Sequence, residues 1–295
     1  MFTPLNETAL TRRAFLARGA ALAVAGPLLG HARLAAAQAE TAKPRIKQSA
    51  CWGCFYRRET PVEQFVRNVA AIGCQSIEMG PEEHWQKIKD AGMTVAIFVG
   101  HASLADGLDD PRNHDRIEAE LRGSIDKAVR YGIPSILCLS GNRRGMSDEQ
   151  GLANSAACLS RVVKQAEDKG INLCVELLNS KVDHADYMGD HTTWGVELCK
   201  RVNSPRVKLL YDIYHMQIME GDLIRTITRN IQYMGHFHTA GVPGRRDLDD
   251  QQEIYYPAVM RAIANAGYQG FVGHEFGPKG DPMAALKAAH KTCDV

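Results

Sequence analysis

Four residues of this 295-residue chain combine ligand chemistry with regular spacing: Glu176, Asp212, His238 and Glu275. They are separated by 36, 26 and 37 residues, and each stands at or just past the end of a short apolar run. Each interval is about the length of one strand followed by one helix. In a barrel of parallel strands, four such positions come from four successive strands and converge on the mouth, where strand C-termini carry catalysis. Buried carboxylates are costly without partners. A divalent cation is the simplest partner shared by three carboxylates and an imidazole. Three oxygen donors and one nitrogen suit Mn²⁺, Mg²⁺ or Co²⁺ better than a structural zinc, which favours sulfur and nitrogen.

Taken singly, each residue has a blander reading. Asp212 could cap the helix that follows it, and a glutamate ending a strand could pair with a neighbouring arginine. His236 and His238 share one strand face, because side chains alternate with period two; His238 is nearer the C-terminal end and so nearer the mouth. The register of all four is what favours a metal site. Other polar residues stand at neighbouring strand ends: Glu78, His101, Asn179, Lys181, His184, His215 and Arg245. The histidines and Arg245 suit carbonyl, hydroxyl or carboxylate oxygens of a substrate, and the planar fork of Arg245 matches a carboxylate. Lys181 reads equally well as a solvated loop residue. Gln217 and Glu220 read as the start of a loop and helix beyond the site.

The elements that must position these groups alternate steadily. Strands are predicted at 46–52, 76–79, 94–99, 135–140, 172–178, 207–211, 233–238 and 271–275. Helices are predicted at 61–72, 82–91, 115–131, 150–169, 191–202, 222–230, 256–266 and 282–291. In the first helix Val62, Phe65, Val66 and Val69 fall on one face and Pro61 suits a first turn. Eight strand–helix pairs predict a single-domain (β/α)8 TIM barrel over residues 40–295. A doubly wound open sheet is the competing architecture, but no GxGxxG follows the first strand.

Composition bounds the rest. A formal net charge of +1 gives no basic patch of the kind nucleic-acid binding needs. Residues 1–39 read as a leader: Arg12-Arg13 before Phe15-Leu16, a small apolar run over 17–30, and a small-x-small site at Ala37-Gln38-Ala39. The paired arginines look like a twin-arginine export signal, which implies the twin-arginine machinery as a partner and a periplasmic location. The apolar run is too short for a membrane span. Of eight cysteines, Cys138, Cys158, Cys174 and Cys199 fall inside strand-like or helix-like runs and read as small buried hydrophobes. Cys51-Trp52-Gly53-Cys54 forms a CxxC, but it ends a strand and enters a loop, and no second CxxC completes a zinc site. A local disulfide there is open.

The segments DIYHMQIMEGD (212–222), VPGR (242–245) and GYQGFVGHEF (267–276) resemble the hydroxypyruvate isomerase branch of the xylose isomerase-like barrels. The resemblance covers roughly residues 47–278. It implies one divalent metal at the matching positions Glu176, Asp212, His238 and Glu275, with Glu176 and Glu275 as acid/base groups. It also implies His215 as a substrate contact and a homo-oligomer. The implied chemistry is proton abstraction beside a polarised carbonyl, giving a cis-enediolate that is reprotonated on the adjacent carbon, as in conversion of hydroxypyruvate to tartronate semialdehyde. Return of the proton to the opposite face of the same carbon would be ketose 3-epimerisation, and loss of a β-hydroxyl would be dehydration; all three use the same residues. A non-catalytic sugar-binding barrel would lack the acid/base pair, and a nuclease of this fold would want more histidines and a basic groove. The chain departs from hydroxypyruvate isomerases in two ways. They often carry glutamine where His238 stands, whereas ketose 3-epimerases carry histidine, and they usually lack a leader.

Overall fold

The structure is a computed structural model, and it describes residues 46–295. The leader assigned to residues 1–39 lies outside the described residues. The eight strands are β1 (Lys47–Cys51), β2 (Ser76–Glu78), β3 (Ile97–Val99), β4 (Ser135–Cys138), β5 (Asn172–Leu177), β6 (Val207–Asp212), β7 (Met234–Thr239) and β8 (Phe271–His274). All pair in parallel in the order β2-β1-β8-β7-β6-β5-β4-β3. The ring nearly closes between β2 and β3, where the isolated Ser76–Thr94 bridge and the Met79 N–H bond to the Ile97 carbonyl span the gap. Closure is irregular because the Ser76 hydroxyl, not a backbone carbonyl, accepts the Ala96 N–H at 2.9 Å. That is why the strand predicted to begin at Thr94 is regular only from Ile97. The architecture is the single-domain (β/α)8 barrel that the alternation predicts.

The helices follow the predicted order with local differences. The run predicted as one helix over 150–169 is two, α5 (Asp148–Ser160) and α6 (Val163–Lys169). α5 opens with a Ser147 cap on Gln150 N–H. The CxxC does not enter a loop: Cys51 is the N-cap of a one-turn helix, α1 (Trp52–Phe55). All eight cysteines are free thiols. The Cys51 thiol is pushed up by its hydrogen bond with Cys54, by burial and by the nearby carboxylates Glu275 and Glu78. That is the opposite of what a reactive thiolate needs. The further helices are α2 (Val62–Ile72), α3 (Trp85–Asp90), α4 (His114–Tyr131), α7 (Thr192–Val202), α8 (Ile213–Met219), α9 (Leu223–Asn230), α10 (Tyr256–Asn265) and α11 (Pro282–Cys293). α8 was not predicted; it starts immediately at the end of β6.

Two features of the barrel interior set up the site. One side is filled by Ile97, Leu137, Cys174 and Leu210, from β3 to β6. The other side holds the buried polar side chains of Glu78, His236 and His238. The second feature is a bulge on β7. Leu209 pairs with Met234 and Leu210 with His236, which leaves Gly235 as the extra residue. A side chain there would lie 2.7 Å from Cys174 Sγ, so the bulge needs glycine. Bulges re-aim the side chains that follow them, and here those are His236 and His238.

Candidate active site and metal centre

Glu176 projects from β5, Asp212 ends β6, His238 sits on β7 and Glu275 directly follows β8. Each offers one ligand atom, and these atoms all lie within 4.8 Å of one another. His238 Nδ1 stands 2.8 Å from Glu275 Oε2 and 3.5 Å from Glu176 Oε1. Glu176, Asp212 and His238 are buried and Glu275 is partly exposed, which places Glu275 on the solvent side of the group.

Each side chain is locked by local structure. Tyr187 clamps the β4 and β5 ends: its hydroxyl accepts from Ser140 N–H and donates to the Glu176 carbonyl. Asp212 divides its carboxylate. Oδ1 accepts the N–H groups of Tyr214 and His215, at 2.8 and 3.2 Å, and so caps α8. Oδ2 faces the cluster, 3.3 Å from Arg245 Nη2. Helix cap and candidate ligand are therefore not alternatives: one carboxylate oxygen caps the helix and the other faces the cluster. Glu275 is held by its own N–H, which donates to the Thr239 carbonyl. Arg245 reaches in from the loop after β7. Gly244 (φ 89°) and Arg245 (φ 54°) both take left-handed backbone there, and the guanidinium lies 2.6 Å from Glu275 Oε2.

The electrostatics separate the two glutamates. Burial pushes Glu176 up, and the neighbouring Glu275 and Asp212 add to the rise against His238. Burial acts on Glu275 too, but His238 and Arg245 outweigh it and hold Glu275 below the usual carboxylate range. Burial would lower His238, yet Glu275, Glu176 and Glu78 raise it well above its ordinary value.

The remaining predicted residues divide. His215 is fully buried. Its Nδ1 accepts from Asn179 Nδ2 at 2.7 Å, so its proton sits on Nε2, 3.6 Å from Asp212 Oδ2 and without a hydrogen-bond partner among the described residues. Burial lowers its pKa to about 4, which leaves a neutral N–H donor beside the cluster. Asn179 is consumed in positioning: its carbonyl oxygen accepts the Val182 and Asp183 N–H groups, and its amide nitrogen serves Asp183 and His215. His101 is not brought to the cluster. Its Nε2 accepts from Leu139 N–H, and its charged neighbours are Glu120 and Arg116. Lys181 caps α8 through the Ile218 and Met219 carbonyls. Gln217 lies within α8 itself, while Glu220 accepts from the backbone and hydroxyl of Thr192 at the start of α7.

The donor set fits a hard divalent ion. Three carboxylates converge on a buried imidazole nitrogen, His238 Nδ1, which lies 2.8 Å from Glu275 and 3.5 Å from Glu176 yet makes no well-directed hydrogen bond among the described residues. His238 donates its other nitrogen to a carboxylate, Glu78, at 2.8 Å, an arrangement typical of metal-ligating histidines.

Residues 66–293 match the family described as xylose isomerase-like TIM barrel. The chain belongs to this family. Among its relatives, the 2-oxo-tetronate isomerase of Cupriavidus necator is 29% identical over 246 residues, spanning 79% of this chain and 93% of the relative. The hydroxypyruvate isomerase of Escherichia coli is 34% identical over 178 residues, 58% of this chain and 67% of the relative. Among solved structures, a protein described as AP endonuclease, family 2, from Brucella melitensis superposes with a TM-score of 0.71 at 26% identity, covering 82% of this chain and 96% of that one. Barrel, relatives and cluster together make the chain an enzyme of the isomerase kind, with a His/Glu/Asp set able to coordinate a metal.

Proposed function

We propose that the chain isomerises a small 2-oxo acid bearing an adjacent hydroxyl, of the hydroxypyruvate or 2-oxo-tetronate kind, by moving a proton between neighbouring carbons. The observation that carries this reading is the pair Glu176 and Glu275, which flank His238 Nδ1 at 3.5 and 2.8 Å and shift in opposite directions. A divalent ion held by Glu176, Asp212, His238 and Glu275 would supply Lewis-acid polarisation of the substrate carbonyl. Glu275, kept ionised, is the group suited to remove the α-proton. Glu176, whose burial favours its protonated form, is suited to return one on the other side. The Nε2–H of His215 is placed to donate to a substrate oxygen. Arg245 supplies the cationic fork for a substrate carboxylate. Its contacts with Asp212 and Glu275 mean that it exchanges partners when substrate enters.

Ketose 3-epimerisation is the second reading, and one residue favours it: His238 stands where hydroxypyruvate isomerases often carry glutamine. Product identity separates the readings. Incubation with hydroxypyruvate, 2-oxo-tetronate and a series of ketoses, followed by NMR of the products, is expected to show an aldehyde from hydroxypyruvate. A C3 epimer from a ketose, with both oxo acids untouched, would replace the isomerase reading with the epimerase one; loss of water would replace both.

We also propose that the chain is exported by the twin-arginine route, on the strength of Arg12-Arg13 and the site at Ala37-Gln38-Ala39. N-terminal sequencing of protein recovered from the periplasm should begin at Glu40; full-length chain found solely in the cytoplasm would contradict export.

A further inference from the structure

Glu78 lies on β2, three places from β7 in the sheet, yet its carboxylate meets β7 side chains across the barrel interior. His238 Nε2 is 2.8 Å from Glu78 Oε1, and His236 Nε2 is 3.1 Å from Oε2 and 3.3 Å from Oε1. All three residues are buried. A carboxylate oxygen at hydrogen-bond distance from an imidazole nitrogen accepts its N–H, so each Nε2 facing Glu78 Oε1 carries a proton. We infer that Glu78 and His236 are positioning residues for the metal centre: they clamp His238 with its proton on Nε2, so that the Nδ1 lone pair faces Glu176, Asp212 and Glu275. This rests on the metal reading given above.

Three further features fit a built clamp. A Cβ on Gly273 would lie 2.2 Å from Glu78 Oε1, so β8 is hollowed opposite the carboxylate. The Gly235 bulge sets the phase that turns His236 and His238 to the interior together, with their rings 5.1 Å apart and nearly perpendicular. Cys51, the register partner of Glu78 on β1, has its thiol pKa raised and so brings no competing charge. Glu78, His236 and His238 also lie close enough to ligate an ion of their own, but both Nε2 atoms are engaged in hydrogen bonds to Glu78 Oε1, at 3.3 and 2.8 Å.

The test uses the full chain with histidine labelled in ¹⁵N, alongside Mn²⁺ titrations. In the wild type, His238 Nε2 should bear a proton with and without Mg²⁺, and Mg²⁺ should shift the Nδ1 signal. Glu78→Gln should leave the neutral ring, seen at high pH without an ion, distributed over both tautomers, and should weaken Mn²⁺ binding by about 10–100-fold. Gly273→Ala keeps every charge but pushes the carboxylate away, and should weaken Mn²⁺ binding in the same direction. If Glu78→Gln fails to fold by circular dichroism, Gly273→Ala and the wild-type spectrum carry the test. Affinity within twofold of wild type in both variants, or a wild-type Nε2 without its proton, overturns this inference alone. So does a stoichiometry of two Mn²⁺ per chain that falls to one in Glu78→Gln. A wild-type chain that binds no Mn²⁺ overturns the metal reading as well.

Discussion

Glu275→Gln is expected to lower kcat by roughly 10²–10⁴-fold, the range associated with a positioned general base, while the chain still folds. Glutamine keeps the shape and one oxygen but cannot accept a proton from carbon. The effect should be large because the environment of Glu275 is arranged for ionisation: His238 and Arg245 together overcome its burial. Glu176→Gln removes the other partner and should also cost activity. Its pH signature should differ, since burial makes Glu176 the group that retains a proton to higher pH. Steady-state rates for both variants on the substrate found by product analysis check the prediction. A Glu275→Gln enzyme within fivefold of wild type would remove the residue from the reaction.

The second large effect concerns the ion. Wild-type protein should bind one divalent cation per chain, and Glu176→Gln/Asp212→Asn should bind none, because two of three carboxylates lose their charge. Binding should also depend on pH with a definite sign. The metal-free chain holds His238 protonated well above its ordinary range, and an imidazole must shed that proton to ligate. Proton and metal compete, so affinity should rise with pH, by up to about tenfold per unit for each proton released, and level off above the raised pKa. Calorimetry in two buffers of different ionisation enthalpy measures the released proton directly. Affinity independent of pH between 6 and 8 would contradict the assignment of His238, and an unchanged metal content in the double variant would remove the site.

Much of this was legible in the sequence, and the part that was not has physical reasons. The spacing of Glu176, Asp212, His238 and Glu275 follows the strand–helix period, so their convergence could be read from the barrel alone. Asp212 invited a choice between cap and ligand because a sequence shows one residue, not two carboxylate oxygens with separate partners. α8 was missed because its apolar stretch, Ile213–Met219, carries no breaker to separate it from β6. His101 and Asn179 stand at strand ends, as substrate-binding residues do, but the backbone groups that occupy them, Leu139 N–H for one and Val182 and Asp183 N–H for the other, are set by loop geometry that no spacing reveals. Glu78 was visible as the end of β2, and its partners His236 and His238 as a pair on one face. Their meeting depends on the β7 bulge and on the space left at Gly273, neither of which has a periodic signature. The CxxC was read as entering a loop because one helical turn is too short to register as a pattern.

Metal-dependent proton abstraction is the centre of this account, and solvent deuterium exchange tests it most directly. Chain stripped with a chelator, reloaded with Mn²⁺ and incubated in D₂O with hydroxypyruvate, 2-oxo-tetronate and ketoses is expected to incorporate one deuterium at the carbon beside the carbonyl. The stripped chain and Glu275→Gln should incorporate none above background. Incorporation at equal rates with and without the metal, or no incorporation into any of these compounds by the loaded wild type, would contradict it.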